Sequence, residues 1–229
     1  MFKTMIASTV AALTLLPTVA SAQETTPRTG AYGVIRAGVG IDADLRLKAA
    51  DIAAPSTFRR SADGKRGWTG DLGLGYDMGG FRLEATAGMA RNGLDRKSAA
   101  KAASYDAGSR LKKLDFMLSG YVDLAPNSAL SPYVGVGVGM ARITSELQRT
   151  AGLTGGTRLN DKDWGFSWQA AAGVSVKLSE KSAVDLGVKH QRVSGVKLDG
   201  QTGTPATTRS FNTNGYRATS ALVGLRFGF

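Results

Sequence analysis

Apolar side chains recur at every second position in run after run of this chain, and the runs break at turn residues, as β-strands with one apolar face require. In Tyr32 to Asp42, Ile35, Ala37, Val39 and Ile41 share a face against Val34, Arg36 and Gly38. Trp68 to Met78 sets Trp68, Leu72, Leu74 and Tyr76 against Thr69, Asp71, Gly73 and Gly75, and Phe81 to Arg91 opposes Phe81, Leu83, Ala85, Ala87 and Met89 to Arg82, Glu84, Thr86 and Gly88. Leu114 to Asp123 sets Leu114, Phe116, Leu118 and Val122 against Asp115, Met117, Ser119 and Tyr121, while Pro132 to Arg142 alternates Val134, Val136, Val138 and Met140 with glycine. Trp164 to Leu178 places Trp168, Ala170, Ala172, Val174 and Val176 opposite Gln169, Gly173, Ser175 and Lys177. Ala183 to Val193 opposes Val184, Leu186 and Val188 to Asp185, Gly187, Lys189 and Gln191; in Gly215 to Phe229, Ala221, Val223, Leu225, Phe227 and Phe229 face away from Gly224, Arg226 and Gly228.

These are eight runs, and their connections alternate in length. Short links follow the second, fourth and sixth (Asp77-Met-Gly-Gly80, Leu124 to Pro132, and Ser179 to Ser182), whereas long polar links follow the odd-numbered runs. All long loops therefore gather at one end, the pattern of antiparallel up-and-down neighbours.

A soluble β-sandwich also uses alternating strands, but three features weigh against it. Charges of both signs share the small-residue face with glycine: Arg36, Asp71, Arg82, Glu84, Asp115, Lys177, Asp185, Lys189 and Arg226. Glycine is a poor choice for a strand exposed to water, whereas inside a narrow barrel it makes room and opposite charges can pair. A run of ~10 residues tilted by ~40° covers roughly 25 Å, the height of a transmembrane apolar band. Aromatics also sit at the ends of the runs: Tyr32, Phe81, Tyr121, Tyr133, Phe227 and Phe229 near the short turns, and Trp68, Trp164 and Trp168 opposite them, which suggests two interfacial girdles. The expected fold is all-β, an eight-stranded antiparallel up-and-down transmembrane β-barrel whose lumen is filled by the charged side chains just named.

The first 22 residues carry Lys3, an apolar stretch from Met5 to Val19 and a small-x-small close at Ala20-Ser21-Ala22. This is the three-part form of a secretory signal peptide, so residues 1–22 are expected to be removed and 23–229 to form one barrel domain. The chain contains no cysteine, so an exported protein of this sequence must be held together without disulfides. No later stretch approaches the ~18 consecutive apolar residues of a membrane-spanning helix.

The signal peptide, the eight alternating runs and the closing LRFGF together resemble the eight-stranded outer-membrane β-barrel family of Gram-negative bacteria, the OmpA-like and small "porin family" proteins. The resemblance covers about Tyr32 to Phe229 and implies location in the outer membrane. Its implied partners are outer-membrane lipids and the assembly machinery, which reads an aromatic terminus such as Leu225, Phe227 and Phe229. Unlike the two-domain members of that family, this sequence is expected to carry no peptidoglycan-binding domain.

Candidate chemistry is sparse. Neither GVGVG nor GLGYDMGG is a dinucleotide fingerprint and no GK[ST] occurs, so no cofactor is expected. With one histidine, no cysteine and scattered acids, no metal is expected either. His190 is a conceivable base at the outer rim, but Ser194 lies ~13 Å away along the strand, too far to be its nucleophile, and the chain is expected not to be an enzyme.

The long-loop end carries about all of the formal charge of +11: Ala43–Arg66, Arg91–Lys113, Arg142–Asp163 and Arg192–Arg217 sum to +3, +5, +1 and +3. In a bacterial outer membrane that end meets lipopolysaccharide phosphates, and Arg91, Arg96, Lys97, Arg110, Lys112 and Lys113 are the leading contacts. Nucleic acid is not an expected partner of an exported chain without a recognition motif. The resulting reading is a monomeric structural protein that supports envelope integrity through lipopolysaccharide contact and displays basic loops. The alternatives are a surface adhesin or host-interaction protein, a narrow porin-like channel, and a rim enzyme acting on lipid.

Overall fold

The computed structural model describes residues 29–48, 60–63, 67–93, 110–148, 158–202 and 207–229. The signal-peptide segment lies outside them. The described chain is all β: β1 (Thr29–Lys48), β2 (Arg60–Asp63), β3 (Trp68–Met78), β4 (Phe81–Gly93), β5 (Arg110–Asp123), β6 (Leu130–Gln148), β7 (Arg158–Lys177), β8 (Ser182–Ser194), β9 (Lys197–Thr202) and β10 (Thr207–Gly228). Eight long strands pair antiparallel in the order β1-β3-β4-β5-β6-β7-β8-β10, and β10 pairs back onto β1 from Tyr32↔Gly228 to Lys48↔Asn212. Closure removes the sheet edge within the wall, so each strand finds its backbone partners within the barrel. The short strands β2 and β9 extend the sheet beside β1 and β10.

The register sets the barrel's dimensions. A hydrogen-bonded row starting at Gly33 passes through Leu74, Ala85, Leu118, Val138, Trp168, Arg192 and Arg217 and returns to β1 at Asp44, eleven positions higher. One of those positions is taken up by the irregularity between Gly40 and Asp42, leaving a stagger of ten over eight strands. That stagger requires a strand tilt of about 40° and an interior only wide enough for side chains.

At the short-turn end, Gly79 and Gly80 take φ of +86° and +136°. Two successive positive values are what a two-residue hairpin between right-twisted strands demands, and Asp77 Oδ1 accepts the Gly79 amide at 2.9 Å. At the other end the strands outrun the alternation: β1, β6, β7 and β10 reach 20, 19, 20 and 22 residues. Beyond the membrane both faces meet water, so the period-two signal fades while backbone pairing continues.

Burial is inverted relative to a soluble protein. Leu72 is 65 % exposed and Val136 69 %, whereas Arg82 is 0 % exposed and Glu84 1 %. An outward surface this rich in large aliphatic side chains calls for an apolar solvent, and a polar interior calls for internal partners.

Candidate functional site: the charged lumen and the outer wall

Alternation along each strand sends one side chain in two into the lumen, and these meet in two clusters. In the half toward the short turns, Arg36 Nη2 lies 2.7 Å from Glu84 Oε2, Arg82 Nη2 lies 2.8 Å from Asp123 Oδ1, and Arg226 Nε lies 3.0 Å from Asp185 Oδ2. Arg82 also reaches Glu84 at 3.5 Å, and Asp185 lies 3.9 Å from both Arg36 and Arg82, so the pairs form one network. Tyr32 donates its hydroxyl to Glu84 at 2.8 Å, and Arg226 donates to Ser175. Toward the long loops, Lys113 pairs with Asp115 at 2.5 Å and Lys189 with Asp71 at 2.6 Å. Gln191 accepts from Lys113 and donates to Ser167 at 2.9 Å, while Gln169 donates to Ser119 at 2.8 Å between the two clusters.

Aromatic rings pack the inner network. The Arg82 guanidinium sits 5.1 Å from the Tyr121 ring centroid and 5.2 Å from that of Tyr133, and Arg226 sits 5.6 Å from that of Tyr32. Cation–π attraction strengthens in such a desolvated setting. Each tyrosine faces a glycine on the next strand, in the registers Tyr32↔Gly75, Tyr121↔Gly135 and Tyr133↔Gly173. A Cβ at Gly75 or Gly135 would collide with the facing ring, so glycine there is the space the aromatic occupies.

The lumen is thereby filled and electrically balanced. Below the level of Asp163, the described Arg36, Arg82, Lys113, Lys177, Lys189 and Arg226 face Asp71, Asp77, Glu84, Asp115, Asp123 and Asp185, six against six. Among the described residues, small cavities include one of about 10 Å³ beside Asn92, Lys113 and Tyr216 and one of about 20 Å³ beside Asp77, Lys177 and Arg226. Each has room for about one water.

The structure corrects several expectations. Lys113 does not face lipopolysaccharide: it is buried on the inward parity of Asp115 and Met117, where its ammonium neutralises Asp115. Tyr32, Tyr121 and Tyr133 are not girdle residues, because they share the inward parity of the charges and are buried with them. The girdle near the short turns is instead Tyr76, Phe81 and Phe227, all exposed, and Trp68 and Trp164 stand exposed at the other end. Lys177 stands at the short-turn mouth, where it donates to the Pro126 carbonyl. Asp77 and Asp123 join the lumen set although sequence reading placed them at run ends.

Of the expected lipopolysaccharide contacts, Arg91 and Lys112 are exposed on the outer wall as register partners. Arg96 and Lys97 lie outside the described residues, as does the side chain of Arg110. His190 faces outward, its Nδ1 3.0 Å from Thr219 Oγ1 and its ring 6.0 Å from that of Trp168. Its hydrogen-bond partner is a threonine on the neighbouring strand, and Ser194 pairs in register with Phe166. Leu225, Phe227 and Phe229 line the outward face of the closing strand, and the Phe229 amide donates to Ala31 at 3.2 Å.

A closed antiparallel sheet with a packed polar lumen and an apolar exterior defines a transmembrane β-barrel. The chain belongs to the outer membrane protein β-barrel domain family, whose profile matches residues 8–229, and its place is the bacterial outer membrane. Among solved structures it is similar to the neisserial surface protein NspA, with a TM-score of 0.52 and 16 % identity over 87 % of this chain and 99 % of that one. OprG from Pseudomonas aeruginosa gives 0.51 and 13 % over 90 % and 100 %, and the outer membrane protein AlkL gives 0.50 and 18 % over 91 % and 94 %. At these identities the likeness is one of fold. Curated relatives include uncharacterized proteins of Brucella abortus and Brucella suis, 29 % identical over 143 residues, 55 % of this chain. The chain spans about half the length of the curated relatives it matches.

Proposed function

We propose that this protein is a structural, non-conducting component of the outer membrane that supports envelope integrity by contact with lipopolysaccharide. The filled and charge-balanced lumen carries the reading. A channel needs a continuous wet path, and here the arginine–carboxylate network with its three tyrosines fills the cross-section where such a path would run. What is left for the protein to offer is its outside: an apolar wall, and a basic long-loop end with Arg91 and Lys112 on the surface and Arg96, Lys97 and Arg110 nearby in sequence. Lipopolysaccharide phosphates complement that charge. The chain acts as a monomer, is exported by residues 1–22 and is assembled through its aromatic terminus. It performs no catalysis, His190 serving as an interfacial group hydrogen-bonded to Thr219.

A second reading, surface adhesion, is favoured by one observation. β6 and β7 continue their pairing from Arg142↔Trp164 up to Gln148↔Arg158, about 15 Å farther along the barrel axis at the rise of a tilted strand. Such a ribbon would hold a display surface clear of the lipid.

Two measurements test the primary reading together. Purified protein in a planar bilayer should show no steady single-channel openings, and purified lipopolysaccharide should bind it in detergent with an affinity that falls as salt rises. Steady conductance would overturn the sealed lumen, and salt-insensitive or absent binding would overturn lipopolysaccharide contact.

A further inference from the structure

The register converts strand position into height, and height reveals a feature that no single strand displays. With a stagger of ten residues over eight strands, each step along a hydrogen-bonded row climbs the barrel axis by about 3 Å, and each residue along a strand by about 2.4 Å. Measured from the row through Leu74, Ala85, Leu118, Val138, Trp168, Arg192 and Arg217, the outward-facing Arg91, Lys112, Arg142, Arg192 and Arg217 fall within about 5 Å of one height. They come from five different strands, β4, β5, β6, β8 and β10. On β3 the same level is held by Trp68, and on β7 by Trp164 and Phe166, which completes most of the circumference with aromatic side chains.

That level is not arbitrary. The exposed Tyr76, Phe81 and Phe227 form the opposite girdle, and the cationic level stands about 24 Å above them by the same rise. An outer-membrane apolar band is ~25 Å tall, so the five cations lie where hydrocarbon ends and lipid phosphate begins. Long cationic side chains at such a level can lay their aliphatic stems along apolar surface and reach their charged heads toward the headgroups.

Resting on the lipopolysaccharide reading above, we propose that lipid-borne phosphate is bound by the barrel wall itself, through a belt formed by Arg91, Lys112, Arg142, Arg192 and Arg217, and not chiefly by the long loops. Charge complementarity names the occupant: phosphate groups of lipid A in the outer leaflet, the anionic layer at that height. Trp68 and Trp164 supply apolar sides at the interface, the position tryptophan favours. Arg217 is the weakest member, since its register partners are Arg192 on one side and Asp44 on the other.

The test uses the full-length protein refolded in detergent and bisphosphorylated lipid A as the probe, with binding read from tryptophan emission. Arg142→Gln with Arg192→Gln should weaken binding about twenty-five-fold, at about fivefold per cation removed near an anionic surface. Dephosphorylated lipid A should bind wild type and variant alike. Heat-modifiable migration on gels verifies that the variant still folds. A control variant, Arg96→Gln with Lys97→Gln and Lys101→Gln, should bind as wild type does. Should the control lose binding while the wall variant keeps it, the belt is overturned and lipopolysaccharide contact survives through the loops. Should wild type bind phosphorylated and dephosphorylated lipid A equally, both readings fail. Competition by inorganic phosphate at the concentration of the lipid would overturn the assignment to a lipid-borne group.

Discussion

Glu84 offers the sharpest test of the buried network. Its carboxylate neutralises Arg36 at 2.7 Å, reaches Arg82 at 3.5 Å and accepts the Tyr32 hydroxyl at 2.8 Å. Glu84→Gln keeps shape and one accepting oxygen but removes the charge. Arg82 still has Asp123 at 2.8 Å, whereas Arg36 is left with Asp185 at 3.9 Å. Breaking a buried pair by removing one partner costs ~3–5 kcal/mol because a desolvated charge is stranded. Retained hydrogen bonds place this substitution at the lower end, about 3 kcal/mol. Arg36→Gln strands Glu84 less completely, since Arg82 remains within reach, and should cost about 2–3 kcal/mol.

The double variant restores neutrality and should cost about 2 kcal/mol less than the sum of the single changes, a coupling in the range seen for residues in one network. The assay is urea unfolding of the barrel from phospholipid vesicles, followed by tryptophan emission and gel mobility. Lys189→Gln provides the control, because its partner is Asp71 in the outer cluster. It should combine with Glu84→Gln additively within about 0.5 kcal/mol. Additivity of Glu84→Gln and Arg36→Gln to the same tolerance would refute the claim that the inner pairs act as one network.

Two further substitutions probe the packing and the closing strand. Gly135→Ala should lower stability by about 1–3 kcal/mol, because the new methyl collides with the Tyr121 ring, and adding Tyr121→Ala should recover part of that loss; an unchanged urea midpoint for Gly135→Ala would remove the glycine–tyrosine pairing as a packing device. Phe229→Ala should reduce the barrel recovered from outer-membrane fractions several-fold while the purified chain refolds and shifts on gels as wild type does. Equal recovery in cells would dismiss the terminal aromatic as an assembly address.

What could be read from the sequence was whatever repeats with a period of two inside the membrane. There the two faces of each strand meet different solvents, lipid and a packed lumen, so Arg36, Asp71, Arg82, Glu84, Asp115, Asp185, Lys189 and Arg226 declare their side by parity alone. The same parity places Tyr32, Tyr121, Tyr133 and Lys113 inside. Position near a run end points the other way for those four, although a lumenal tyrosine opposite glycine follows the same alternation as its charged neighbours. Above the membrane the rule loses its physical basis, since both faces are wet, and the upper reaches of β1, β6, β7 and β10 carry no period-two signature.

The cationic belt was hidden for a different reason. Arg142, Arg192 and Arg217 each carry the outward parity of their strands, yet the sequence does not say that they share a height. Height depends on the stagger accumulated around the closed sheet, and that stagger belongs to no strand or hairpin alone. A slip of two residues in any one pairing would preserve every inside and outside assignment while displacing the strands beyond it by about 5 Å. Alignment of five cations across five strands is therefore a property of the whole register. It bears on function because the membrane's charged layer is itself only a few ångströms thick, and a cation contributes to phosphate contact only if the stagger delivers it there.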